Sequence, residues 1–379
     1  MATVDEKVEN KPAEDDNSSQ NSVPKLPPDE NSKESTAGHE EKEKLYDMSR
    51  IRAFENVPFL IKRTEPQDMT LTYGEAVDKV LLLLEFLESN KVPAGAGIAL
   101  RITDHTPASC LLILAILNHK CHFYPTDKML LSQALYERMS MAGVEYLLVN
   151  KHLAVGHLNF TRLSSILLFN EDCKLYKVKH KPNDPDVQAK KPLPANMCYT
   201  ISTTGSTGGP KLIHVPYECI APNIVALSQK LNVSMADIIY LGTPCTFDPF
   251  VVEFFLALQN GATLLTSHHT MKDSPSRVLS ALFPDNLVKP GITILQMTPS
   301  LFRQFGATSI RERILSSSSS LRCNLECCSL VASRSPPMQS SLLGWIRVSC
   351  CRNTYAISME LQRFPAGASC TSFSHYKVK

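Results

Sequence analysis

From about residue 46 the chain alternates between two hydrophobic rhythms. In "TYGEAVDKVLLLLEFLESN" (72–90) apolar residues recur every three or four positions, which predicts a helix with Val77, Val80, Leu81, Leu84 and Leu87 on its inner face. "GIALRI" (97–102) is a short continuous apolar run and predicts a buried strand. A helix over 107–118, a strand in "CHFY" (121–124), a helix over 132–142 and a strand over 145–149 follow. The polar stretch "KLYKVKHKPNDPDVQAKKPLP" (174–194) reads as a linker. Beyond it the pattern predicts strands over 197–202 and 211–215, a helix over about 219–230, a strand near 238–241 and a helix over 250–259. "GATLLT" and "ITILQM" read as strands on either side of a helix over 276–283. Strands alternating with helices of this length predict an α/β fold, with parallel sheets covered by helices on both faces.

The first 45 residues break that rhythm. They are Glu, Lys, Asp, Asn, Ser and Pro with almost no aromatics, and such a segment buries too little apolar area to offset ordering entropy. Residues 1–45 are therefore expected to be a disordered polar segment, ahead of a globular domain over 46–322. They lack the apolar core of a signal peptide and the Arg-rich look of a transit peptide, which predicts a cytoplasmic protein. The longest apolar run, "CLLILAIL" (110–117), is too short to span a bilayer, so no membrane partner is expected. A net charge of +2, with no basic block beyond "KVKHK" (177–181), gives no nucleic-acid footprint, and no nucleic-acid partner is expected. Twelve cysteines form no CxxC pair, and no metal site is expected from them.

Chemistry concentrates in "STTGSTGGPKL" (202–212), which takes three of the chain's 15 glycines. Gly205, Gly208 and Gly209 let the main chain approach a ligand, and successive N–H groups of such a loop form an anion-binding hollow. Ser202, Thr203, Thr204, Ser206 and Thr207 add hydroxyls, and Lys211 adds a positive charge. The loop is not a Walker loop, because no Gly-Lys-Ser/Thr occurs and a strand follows. A plain Ser/Thr/Gly hairpin without a ligand has the same composition, and both readings stand at this point.

The ordered string narrows the choice. "TTGSTGGPK" resembles the phosphate-binding signature of the AMP-forming adenylate synthetases: acyl-CoA synthetases, luciferases and peptide-synthetase adenylation domains. "LTYGEAVDKV" (71–80), "FDPFVVEFFLALQNGATLL" (247–265) and "ITILQMTPSLFRQF" (292–305) resemble further elements of that family in the same order. The resemblance implies the N-terminal portion of the adenylate-forming fold. It implies ATP-dependent activation of an amino acid or small carboxylic acid as an acyl adenylate, then transfer to a thiol of CoA or phosphopantetheine, including that of a carrier protein. By resemblance Thr203, Thr204, Gly205, Ser206, Thr207, Gly208, Gly209 and Lys211 hold the β- and γ-phosphates of ATP with Mg²⁺.

In the amino-acid-activating relatives the Asp of Phe-Asp pairs with the substrate ammonium, which implies that role for Asp248. Asp248 also has the plain reading of a helix cap ahead of Pro249, and the two are compatible. Glu253, one turn on, reads as packing or solvent-facing; His105 and His119 read as core or solvated. Tyr217 stands where the family commonly has a histidine, and no role is carried to it.

After "SSSSSLR" (316–322) the texture changes: six of the twelve cysteines and the only Trp fall in the remaining residues. The family's Gly-Gly-Glu turn and its Asn-x-Tyr-Gly-x-Thr-Glu strand end, which serve adenine, phosphate and Mg²⁺, are missing. With the reading frame shifted, codons for 330–337 can encode the first motif and those for 356–367 the second. Residues 323–379 therefore read as a frame-shifted tail on an incomplete domain. Two functions follow as expectations: an adenylating ligase by family that is inactive in this form, or a non-catalytic nucleotide-binding or regulatory isoform.

Overall fold

The computed structural model describes residues 44–64, 66–102, 105–126, 132–150, 159–179, 193–194, 196–203, 211–269, 273–284 and 289–314, with the backbone of strands at 327–332, 342–351, 354–363 and 374–377. In chain order the helices are α1 (Met48–Arg52), α2 (Tyr73–Ser89), α3 (Pro107–Asn118), α4 (Ser132–Ala142), α5 (Tyr217–Leu231), α6 (Asp248–Asn260), α7 (Pro275–Leu282), α8 (Pro299–Arg303) and α9 (Ala307–Ser309). The strands are β1 (Pro58–Arg63), β2 (Met69–Thr72), β3 (Gly97–Arg101), β4 (His122–Pro125), β5 (Tyr146–Asn150), β6 (Phe160–Leu168), β7 (Glu171–Val178) and β8 (Met197–Thr203). They continue with β9 (Lys211–Pro216), β10 (Ile238–Tyr240), β11 (Thr263–Ser267), β12 (Ile294–Met297), β13 (Cys327–Ala332), β14 (Leu342–Cys351), β15 (Thr354–Arg363) and β16 (Ser374–Lys377).

These strands form two sheets. The first runs β6-β7-β5-β3-β4-β8-β9, with β5, β3, β4 and β8 parallel and antiparallel strands at both ends. The second runs β16-β15-β14-β13-β12-β10-β11-β1-β2, parallel from β13 to β1. The α/β expectation thus holds. Backbone pairing continues past residue 322: β13 lies parallel to β12, and β14 to β16 add antiparallel strands.

One buried cluster joins both sheets through the helices between them. Residues 107–117 of α3 are all buried, as are Phe250 to Leu258 of α6. A helix apolar on every side has no solvent face to offer and is stable only inside. Each leucine, isoleucine or phenylalanine so buried contributes roughly 1.5–3 kcal/mol, so a charge placed anywhere on α3 would oppose the fold.

Helix α2 starts with a capping box. The Thr72 amide donates to Glu75 Oε2 at 2.8 Å, and the Glu75 amide donates to Thr72 Oγ1 at 3.2 Å. Its inner face differs from the predicted one. Ala76, Val77, Val80, Leu83 and Leu87 are buried, whereas Leu81 is 45% exposed. At about 100° per residue, Leu81 lies too far round from the centre of the stripe, and Leu83 takes its place.

The linker expectation for 174–194 is corrected at its start. Lys174 to Val178 belong to β7, which pairs with β5 and β6 as a hairpin at the sheet edge. Buried Cys173 and Leu175 alternating with charged Asp172 and Lys174 carry the strand period, which the run of lysines and prolines beyond conceals. At the N-terminal boundary Leu45 and Tyr46 are both 5% exposed and join the core; residues 1–43 of the expected polar segment lie outside the described residues. Among the described residues no helix is long and apolar enough to cross a membrane.

Candidate functional site

Two chain segments carry the candidate chemistry, and each leaves the C-terminal end of a parallel strand. In open α/β sheets ligands bind beside those ends. The first segment follows β8. Thr203 and Lys211 are the last paired residues of the β8–β9 hairpin, and Thr203 Oγ1 donates to the Lys211 carbonyl at 3.4 Å. Lys211 is exposed and Thr203 half-buried. Thr204, Gly205, Ser206, Thr207, Gly208 and Gly209 lie outside the described residues. What is described is a hairpin that brings an exposed cation and a hydroxyl to the two ends of the glycine-rich segment. Upstream, Ser202 Oγ and the Tyr124 hydroxyl are 2.8 Å apart, and Thr200 Oγ1 bonds His214 Nδ1 at 2.9 Å, which fixes both hairpin strands.

The second segment follows β10 and ends in Phe247 and Asp248. Phe247 is the residue before α6, and Asp248 is the first residue of the helix. The side-chain cap reading of Asp248 is therefore not what the geometry shows: the helix has no side-chain cap bond. Instead the Tyr199 hydroxyl donates to Asp248 Oδ1 at 3.0 Å. Asp248 stays open to solvent. The protein crowded around it pushes its carboxyl above the ordinary value, and the Tyr199 bond pulls the other way. The dipole of α6 also favours a negative charge at this end. Tyr199 is 3% exposed and stacks on Phe123, ring centroids 5.7 Å apart.

Other residues behave as follows. Glu253 is 1% exposed and accepts bonds from the amide and the hydroxyl of Thr243; burial pushes its carboxyl up to about 8. It is a packed group that holds a loop, in line with the packing half of its expectation. His105 stacks on Phe250 and His119 Nε2 lies 2.8 Å from the Val92 carbonyl. The Tyr217 hydroxyl accepts from the Leu45 amide at 2.7 Å.

Sequence reasoning overlooked Gln296 and Thr266. Both are buried, and the Gln296 amide atoms and the Thr266 hydroxyl have no hydrogen-bond partner among the described residues. The registers of β12 and β11 against β10 put the two on one sheet face. A glutamine inside the apolar strand "ITILQM" was the available signal. Unpartnered buried polar atoms are costly unless something binds them. No group of three or more His, Cys, Asp or Glu that could hold a metal occurs among the described residues.

The profile of the family described as "AMP-binding enzyme" matches residues 49–358. The chain belongs to the AMP-binding enzyme family. It is 72% identical over 297 residues to the beta-alanine-activating enzyme of Drosophila melanogaster, covering 78% of this chain and 29% of that protein. The family member described here thus spans about three-tenths of that relative's length. Among solved structures, the N-terminal subdomain of Klebsiella oxytoca NpsA in complex with 3-hydroxybenzoyl-AMSN aligns with a TM-score of 0.56 at 18% identity, covering 87% of this chain and 76% of that one. The Vibrio cholerae adenylation domain AlmE, in complex with glycyl-adenosine-5'-phosphate, aligns with a TM-score of 0.55 at 16% identity, covering 83% and 62%. These two likenesses speak to fold: the chain has the α/β architecture of the N-terminal portion of adenylation domains.

Proposed function

We propose that this chain is the acid-recognising part of an AMP-forming ligase that activates a short amino acid of the β-alanine class as its acyl adenylate. The observation that carries the reading is the Tyr199–Asp248 hydrogen bond. It joins the strand leading into the glycine-rich hairpin to the helix start bearing a solvent-open carboxylate, so nucleotide and amine sites belong to one assembly. The 72% identity to the fly enzyme supports the substrate class.

In this reading Thr203, Thr204, Gly205, Ser206, Thr207, Gly208, Gly209 and Lys211 bind the ATP phosphates, and Asp248 pairs with the substrate ammonium. The exposed Lys211 and the hydroxyls fit a polyphosphate. Mg²⁺ accompanying the nucleotide would screen the phosphate charge, and a hairpin rich in hydroxyls and poor in carboxylates would hold the phosphates instead of supplying a cage for the ion. Bound ATP·Mg²⁺ supplies the activated α-phosphorus; this chain's residues orient the nucleotide, screen its charge and fix the amine. The acceptor is a thiol of CoA or of a carrier protein's phosphopantetheine.

We also infer that residues 323–379 are translated in a shifted frame and that the chain in this form does not turn over. The two family motifs recoverable in the other frame support this. Amino-acid-dependent ATP–pyrophosphate exchange tests both statements. Exchange by a frame-corrected chain and none by the 379-residue chain is the expected result, and robust exchange by the latter would refute inactivity. The tail also favours a second reading, a non-catalytic nucleotide binder. Calorimetric titration with ATP·Mg²⁺ separates them, because a regulatory binder needs measurable affinity.

A further inference from the structure

We propose that Tyr199 is a positioning residue for the amine site: its phenol fixes the Asp248 carboxylate so that one oxygen is kept for the substrate ammonium. The inference deepens the reading of Asp248 as the amine partner and rests on it.

A carboxylate has two oxygens and about four acceptor sites, and its rotation about χ2 is soft. Left alone at a solvent-open helix start, Asp248 would sample many orientations. The Tyr199 hydroxyl occupies Oδ1 at 3.0 Å, and among the described residues no hydrogen bond to Oδ2 is present. Tyr199 is itself held. Its ring is 3% exposed and stacked on Phe123 of the neighbouring strand β4. A rigid donor on one oxygen orients the other, which lowers the ordering cost of binding a cation there.

The donor is also permanent. Burial, and next the charge of Asp248, push the Tyr199 phenol well above its ordinary range, so it never ionises under physiological conditions. The other groups acting on that phenol are the thiols Cys198 and Cys219. On Asp248 two influences act: the protein crowded around it, which raises its carboxyl, and the Tyr199 bond, which lowers it. Tyr199 therefore has two linked effects. It aims the carboxylate, and it favours the ionised form that an ammonium needs.

A tyrosine inside a core also seeks a partner for its hydroxyl merely to satisfy itself. A structural role of that kind would change stability and leave ligand discrimination alone. The test uses the 379-residue chain with two probes. One is β-alanyl sulfamoyl-adenosine, a non-hydrolysable stand-in for the aminoacyl adenylate; the other is the propionyl analogue, identical but without the amine. Calorimetry gives the affinity ratio between them across pH for the wild type, Tyr199→Phe and Asp248→Asn. Asn still accepts from Tyr199 and so preserves the packing.

The wild type is expected to prefer the amine probe, and Asp248→Asn to lose the preference. Tyr199→Phe is expected to lose about tenfold of it, the scale of one hydrogen bond to a charged group, with the propionyl affinity unchanged. The acid limb of amine binding should move to higher pH in Tyr199→Phe, since the bond that lowers the carboxyl is gone. If Asp248→Asn loses the preference and Tyr199→Phe keeps both ratio and acid limb, the positioning role is overturned and the amine reading stands. If Asp248→Asn keeps the preference, the amine reading itself falls. Titration of the Asp248 carboxyl by ¹³C NMR gives an answer without ligand: an unchanged midpoint in Tyr199→Phe overturns the inference even for a chain that binds neither probe.

Discussion

The Glu253 carboxylate takes hydrogen bonds from both the amide and the hydroxyl of Thr243, tying the second turn of α6 to the loop that leads into Asp248. Because this carboxylate is almost wholly buried, its charge is costly, and its pKa stands near 8 instead of 4.5. Between those values the folded protein binds more protons than the unfolded chain, so this group's contribution to stability falls as pH rises through that window. Glu253→Gln keeps an acceptor for Thr243 without the charge. Urea unfolding between about pH 5 and pH 9 is expected to show a weaker alkaline loss of stability in the variant than in the wild type. Equal losses would mean the carboxylate is not the titrating group.

Gly97 and His122 are neighbours on β3 and β4 that permit no added atom between them. A Cβ on Gly97 would come within 2.8 Å of His122 Nε2 and 2.9 Å of Val144 Cγ2. Gly97→Ala is therefore expected to cost about 1–3 kcal/mol of stability by overpacking, and His122→Ala in the same chain should recover part of it. Purely additive losses in that double-mutant cycle would argue against the contact.

His122 gives a pH signature of the opposite sign. Its ring is 1% exposed, Nε2 has no partner among the described residues, and burial, followed by the nearby His214, lowers its pKa from 6.5 to about 4. The folded state thus binds fewer protons than the unfolded chain between those values. Its contribution to stability is present above about 6.5 and is lost as pH falls toward about 4. His122→Phe should reduce the acid-side loss in the same unfolding series, and a wild-type slope in the variant would count against it.

The strand–helix alternation was readable because buried parallel strands and internal helices are uniformly apolar and bounded by turn residues. Predicted and observed ranges for α3, α6, β8 and β9 agree within about two residues. The hairpin of β6 and β7 was missed because exposed Leu163 and Leu167 stand beside exposed Thr161, Arg162 and Ser165 in β6, so neither a clean alternation nor an apolar run marks that strand. At the site, motif order pointed to Asp248 and Lys211. Tyr199 could not be found that way: its role depends on a contact across 49 residues of sequence, which no local pattern encodes. Gln296 stood out only as a polar residue in an apolar strand; that it and Thr266 are unpartnered is a property of the folded neighbourhood, which the sequence does not show.

Lys211 offers the direct test of the hairpin's assignment. It is exposed at the base of the glycine-rich segment, and its backbone carbonyl, not its ammonium, is the atom bonded to Thr203. Lys211→Met should therefore leave the hairpin paired and remove only the charge. ATP·Mg²⁺ affinity is expected to drop about tenfold, as for loss of one charge-assisted bond to phosphate. Because exposed charges are screened, added salt should weaken the wild type more than the variant. Thr203→Val removes a hydroxyl already engaged with the hairpin and should cost less than the lysine change. Calorimetric titration of the three proteins at low and high salt distinguishes the outcomes. If Lys211→Met binds ATP·Mg²⁺ like the wild type at low salt, the phosphates do not sit at this hairpin, because an exposed ammonium within reach of a polyphosphate cannot be energetically silent there.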